Sequence, residues 1–143
     1  MENNFEKLVN KAYENVRMAS YAIDCIMERI ENPGLADLLA QQNEFYLDLT
    51  KEIEDIAKSR GVKLEDIGVM AKTASFVSIK MKTMVDNDSS KLSEMLVQGT
   101  TMGITDSLKA KRAYPTEDER LTEVMDRLVS HEEEFVDSLK TFL

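Results

Sequence analysis

Gln42, Glu44, Asp106, His131 and Glu132 are the side chains in this sequence with the means to do chemistry in unexpected places. Gln42, Asp106 and Glu132 fall on helical steps otherwise taken by apolar residues. His131 flanks that seam beside Glu132, and Glu44 shares the polar stretch of Gln42. Burying a carboxylate without a partner costs several kcal/mol, and an unpaired amide roughly 1–3 kcal/mol. Such groups need a hydrogen-bond partner, a water or a metal ion. The favoured reading is a hydrogen-bonded polar layer of Gln42, Asp106, Glu132 and His131 that fixes the register of a helical core. The alternative is a single metal or small-ion site on His131 and Glu132, with Asp106 as a further ligand, suited to iron, manganese or zinc. A third reading leaves some of these residues in water with no role. No cofactor is expected under the first reading, and no residue is assigned a catalytic role. The chain has no Gly-rich phosphate loop, no nucleophile elbow and no Cys–His pair. Ser130 neighbours His131 in sequence and so points elsewhere on a helix. Glu133, in the run Glu132-Glu133-Glu134, reads as part of a solvated face.

The elements that must position these residues are helices. Phe5, Leu8, Ala12, Val16, Ala19, Ile23, Ile26 and Ile30 recur at steps of three and four, which predicts a helix from about Asn4 to Glu31. Asn32-Pro33-Gly34 breaks it. A second stripe, Leu35, Leu38, Gln42, Phe45, Leu49, Ile53 and Ile56, predicts a helix to about Arg60, stopped by Gly61. The stretch from Leu64 to about Val85 has a poorer stripe and a Ser/Thr/Val-rich patch at Thr73–Ser78. It predicts a short or broken crossover helix. Asp88 or Ser89 caps a third helix to Ala113, with stripe Leu92, Met95, Gly99, Met102, Asp106 and Ala110. Tyr114-Pro115 ends it. Thr116 and Glu119 form a capping-box pattern opening a fourth helix through Leu121, Met125, Leu128, Glu132, Phe135, Leu139 and Phe142. Helices of about 22 to 28 residues span roughly 33 to 42 Å. The fold class is therefore all-α: two antiparallel hairpins, 1–60 and 89–143, joined by a long crossover, 61–88, in one domain of 1–143. Residues 41–49 and 131–139 align without gaps, Glu44-Phe45 on Glu134-Phe135 and Leu49 on Leu139, as in a duplicated hairpin.

Composition agrees. Of 143 residues, five are Gly and two Pro, too few for the turns of a sheet protein. Net charge is −9, which disfavours nucleic acid as a partner and suits a soluble surface. Cys25 is the sole cysteine, so neither an intramolecular disulfide nor a cysteine-rich zinc site can form. The polar, acidic start and the lack of a long apolar run predict a cytoplasmic protein with no membrane span. The basic patch Lys109-Ala-Lys-Arg112 sits where cations favour a helix C-terminus, and the acidic chain as a whole favours that role over phosphate binding.

The hairpin–crossover–hairpin order and the segments Met18-Ala-Ser-Tyr21, Gln41-Gln-Asn-Glu-Phe45 and His131-Glu-Glu-Glu-Phe135 resemble the ferritin-like superfamily over nearly the whole chain. The nearest likeness is to small bacterial members of no established function, which share a third-helix start like Lys91-Leu-Ser-Glu-Met-Leu96. The resemblance implies a ferritin-like four-helix bundle. Family members with a di-metal centre use one Glu on each of two helices and Glu-x-x-His on the other two. Here the helix-one Glu falls near Val16. The helix-two pair falls near Gln41-Gln42-Asn43-Glu44, with no His, and the helix-three Glu falls at Gln98 or Gly99. His131 matches the helix-four His, with Leu128 in place of its Glu. One His and one inward Glu are too few for two metals.

The leading functional expectation is accordingly a non-enzymatic ferritin-like bundle with a degenerate metal centre. It would act as a homo-oligomer or through a protein partner, using Tyr13, Tyr46, Leu47, Phe76 and Val77, which lie off the stripes. The alternative is a metal-binding or redox protein with a reduced site at His131 and Glu132. A further possibility is a lipid- or cofactor-binding bundle, using the gap that Gly99 and Gly103 leave on one face of helix three.

Overall fold

The computed structural model describes residues 3–65, 68, 74, 77, 78 and 88–143. The described residues form four long α-helices and no strand: α1 (Asn4–Ile26), α2 (Pro33–Ser59), α3 (Ser89–Ala113) and α4 (Glu119–Lys140). The short or broken crossover helix expected over 64–85, and Phe76 within it, lie mostly outside the described residues. Ala74, Val77 and Ser78 are described and helical, and Val77 is buried.

The helix ends follow from side-chain caps, and three differ from expectation. α1 stops at Ile26 and tightens into one 3₁₀ turn, Met27–Arg29, instead of running to Glu31. Asn32 ends this run but also starts the next helix. Its Oδ1 accepts from Gly34 N at 2.9 Å and Leu35 N at 3.1 Å, and Pro33 takes the first helical position, where a missing N–H costs nothing. At α4 the cap is Asp118, not Thr116. Asp118 Oδ1 accepts from Leu121 N at 2.9 Å, while Thr116 Oγ1 accepts from Asp118 N at 3.2 Å, outside the helix. A carboxylate is the better cap and also meets Arg60 Nη2 at 2.6 Å. Gly61, at φ 68°, lets Val62 N reach Ala57 O at 2.9 Å and close the end of α2.

α1 packs closely on α2 and α3, and α4 packs closely on the same two helices. Asn4 bonds to Pro115 and Asn15 to Ser107, so α1 and α3 run in opposite directions. Tyr46 bonds to Glu132 and Arg60 to Asp118, so α2 and α4 do too. The core is apolar and continuous through Leu8, Val16, Ile23, Leu39, Leu49, Ile53, Leu92, Met125 and Leu128. Lys111, in the basic patch of the last turn of α3, pairs with Asp126 of α4.

Two stripes are rotated from their expected positions. On α2, Tyr46 is buried and Phe45 only partly so. On α3 the inward series is Leu92, Leu96, Thr100, Ser107 and Ala110, while Met102 and Asp106 are exposed. Hydropathy favours Met102 over Ser107 as a core residue, but the Ser107 hydroxyl is satisfied by the half-buried Asn15 amide and can be turned inward.

Candidate functional site

Glu132 is fully buried at mid-length on α4, the position its spacing predicts. Its two oxygens are held by different helices. Asn15 Nδ2 of α1 donates to Oε1 at 3.0 Å, and the Tyr46 hydroxyl of α2 donates to Oε2 at 2.8 Å. Asn15 Nδ2 also lies 2.8 Å from Ser107 Oγ and 3.3 Å from the Gly103 carbonyl, both on α3. α1 and α2 thus donate directly to the α4 carboxylate, and α3 joins the network through Asn15. Gly103 makes the convergence sterically feasible, because a Cβ there would stand 2.8 Å from Asn15 Oδ1.

Burial dominates the electrostatics. It pushes Glu132 up to about 7, against the opposing effect of the hydrogen bonds from Tyr46 and Asn15, which favour the anion. Burial also raises Tyr46 well above the ordinary phenol value, and the neighbouring Glu132 charge adds to the rise. Tyr46 therefore stays a donor at neutral pH. Gln42, one turn before Tyr46, is buried and approaches its hydroxyl closely enough to favour the phenolate, yet its Nε2 has no well-formed hydrogen bond.

The carboxylate lies at the foot of a cleft of about 200 Å³ between α1 and α3. The walls are apolar or small: Met18, Ala19, Ala22, Met95, Gly99 and Gly103. A Cβ at Gly99 would meet no atom within 4 Å, so this glycine opens the wall. Lys11, Glu14 and Asp106 also line the cleft. The arrangement can hold a small ligand with an apolar body against the walls and a polar group at Glu132.

The five residues singled out from sequence do not form one layer. Glu132 and Gln42 are buried, Asp106 is exposed at the cleft, and Glu44 is exposed. His131 turns away from Glu132 and stacks on Phe45, with ring centroids 3.7 Å apart and planes 5° from parallel. Burial lowers its pKa from 6.5, partly opposed by Glu134. The two-ligand site on His131 and Glu132 is therefore not assembled, since adjacent residues on a helix project to different sides. Among the described residues no three of His, Cys, Asp and Glu converge on a common point. The groups around Glu132 are an amide, a phenol and a hydroxyl, a donor set that does not fit a di-metal centre with its bridging carboxylates. Of the residues expected to mediate association, Tyr46 and Val77 are buried, Tyr13 is partly buried and Leu47 is exposed.

Asn15, Tyr46 and Ser107 have no site role in the sequence reading; spacing alone is compatible with burial of the first two but does not show that they meet Glu132. Asn15 lies three residues after Ala12 and four before Ala19, and Tyr46 lies four after Gln42 and three before Leu49, both in stripe register.

Comparison of the chain with protein-family models, with curated proteins and with solved structures finds no match in any of the three.

Proposed function

We propose that this protein is a non-enzymatic helical bundle that binds a small, mainly apolar ligand in the cleft between α1 and α3, with the polar end of the ligand at Glu132. The observation that carries the reading is a carboxylate buried at the lining of a mainly apolar cleft. Ligand sites are typically such concavities with a few convergent polar groups, and a strongly perturbed carboxyl in a cleft marks a functional candidate. Two glycines support it. Each costs α3 about 1 kcal/mol of helix propensity relative to Ala, yet one opens the cleft and the other admits Asn15.

A ferritin-like ancestry belongs to the same proposal. α2 ends and α3 begins at opposite ends of the bundle, the placement of helix ends that a ferritin-like topology requires. The polar centre of such a fold would here serve hydrogen bonding in place of metal ligation. Binding in the cleft accounts for more of the structure than self-association does, because the large apolar residues exposed among those described are few: Leu47 on α2, Met102 and Leu108 on α3, and Leu143 past α4.

The test uses methyl-labelled methionine and n-hexanol as a neutral apolar probe. The Met18 and Met95 methyl resonances should shift together and saturate. Gly99→Leu, which places a side chain into the open wall, should remove the shifts while leaving the helical melt intact. Weak shifts spread over all methionines, unchanged by Gly99→Leu, would end the proposal.

A further inference from the structure

We infer that the ligand class is a small organic monoamine, bound as its ammonium ion with the charge on Glu132 and the carbon chain along Met18, Ala19 and Met95. This deepens the ligand-binding reading above and rests on it. The groups that hold Glu132, Asn15 and Tyr46, are both uncharged donors, so they stabilise the anion without neutralising it. A bound cation would supply the missing charge.

Three further observations agree. Each Glu132 oxygen takes a single protein donor, and Glu132, fully enclosed in the fold, lines the same cleft as Ser107, so an ammonium that enters past Gly99 meets acceptors for its three N–H bonds. The other charged residues lining the cleft are Lys11 and Glu14 from α1 and Asp106 from α3, two acids to one base. Lys11 Nζ stands 4.0 Å from Glu14, which leaves Asp106 to face an arriving cation. The chain as a whole carries −9, which concentrates cations at its surface. A cleft of about 200 Å³ suits a ligand of roughly seven heavy atoms, at about 30 Å³ for each water-sized unit. That is the size of n-hexylamine. Binding would convert Glu132 to the anion, and because burial leaves it about half protonated at pH 7, amine uptake should release about half a proton there.

The experiment is calorimetric titration of the full chain with n-hexylamine, n-hexanol and hexanoate at pH 7 and 8, in buffers of different ionisation enthalpy. The expected result is amine binding that tightens about twofold from pH 7 to 8, with proton release that is larger at pH 7 than at pH 8. Glu132→Gln should weaken the amine at least tenfold and leave hexanol within about twofold. Gly99→Leu should block both amine and alcohol, which places the site in the cleft. Hexanol binding as well as hexylamine, with Glu132→Gln without effect, would overturn the amine assignment and leave the ligand-binding reading standing. A preference for hexanoate would overturn it likewise. Failure of all three probes would overturn both.

Discussion

Glu132 and His131 are neighbours in sequence with opposite circumstances. The carboxyl of Glu132 is enclosed by four helices and satisfied on both oxygens, while the ring of His131 lies flat on Phe45 with Nδ1 buried and unbonded. His131 should therefore contribute through stacking, worth about 0.5–1.5 kcal/mol, and through its neutral form. Because its folded pKa lies below 6.5, the native state favours the neutral ring. Stability linked to His131 is complete above about pH 6.5 and is lost as the pH falls through the folded value. His131→Ala should lower stability at pH 8 by about 1 kcal/mol. In chemical denaturation the gap between wild type and variant should narrow at pH 5.5, and added zinc should leave it unchanged. A zinc-dependent gain confined to the wild type would show a ligand role that the geometry does not.

At the scale of elements, the caps carry testable weight. Asp118 closes the first turn of α4 and binds Arg60 at the C-terminal end of α2, joining two helices at one end of the bundle. Burial works against its charge, but the Leu121 N–H, the Arg60 guanidinium and the Arg120 N–H together hold the carboxyl below its ordinary value. Asp118→Ala should cost about 1–2 kcal/mol of cap energy, measured by thermal or urea unfolding. Thr116→Ala, which removes only the hydrogen bond outside the helix, should cost clearly less. Equal losses would return the cap to Thr116. The same elements show what the sequence made legible. Apolar periodicity located four helices and placed Gln42 and Glu132 in the core, because those signals depend on spacing alone. A stripe drawn through Gly99 and Met102 follows hydropathy and puts Asp106 in the core, whereas α3 turns Thr100 and Ser107 inward. The burial of Tyr46 depends on a partner, Glu132, more than eighty residues away, which local spacing does not reveal. The convergence of Asn15, Ser107 and Glu132 is a property of helix packing and has no local signature.

For the whole molecule, the buried carboxylate is a liability that function would explain. Four helices enclose a polar centre that an apolar side chain could fill at less cost, and the mid-helix glycines of α3 add to the expense. Among the described residues no helix is long and apolar enough to cross a membrane. The sign of the pH effect is fixed by Glu132. Its folded pKa, about 7, exceeds the ordinary value of 4.5, so the native state binds the proton more tightly than the unfolded chain does. Ionisation therefore costs nothing below about pH 4.5. The cost grows between 4.5 and 7, and above 7 it is fully present at about 3 kcal/mol. Gln at this position keeps the shape, can accept from Asn15 and can donate to the Tyr46 oxygen, and cannot ionise. The most direct measurement is urea unfolding of wild type and Glu132→Gln between pH 5 and 8. The wild type should lose about 2–3 kcal/mol relative to the variant across that range, leaving Glu132→Gln the more stable protein at pH 8. A constant difference from pH 5 to 8, or a variant less stable than wild type at pH 8, would contradict a buried carboxylate held by uncharged donors at the foot of the cleft.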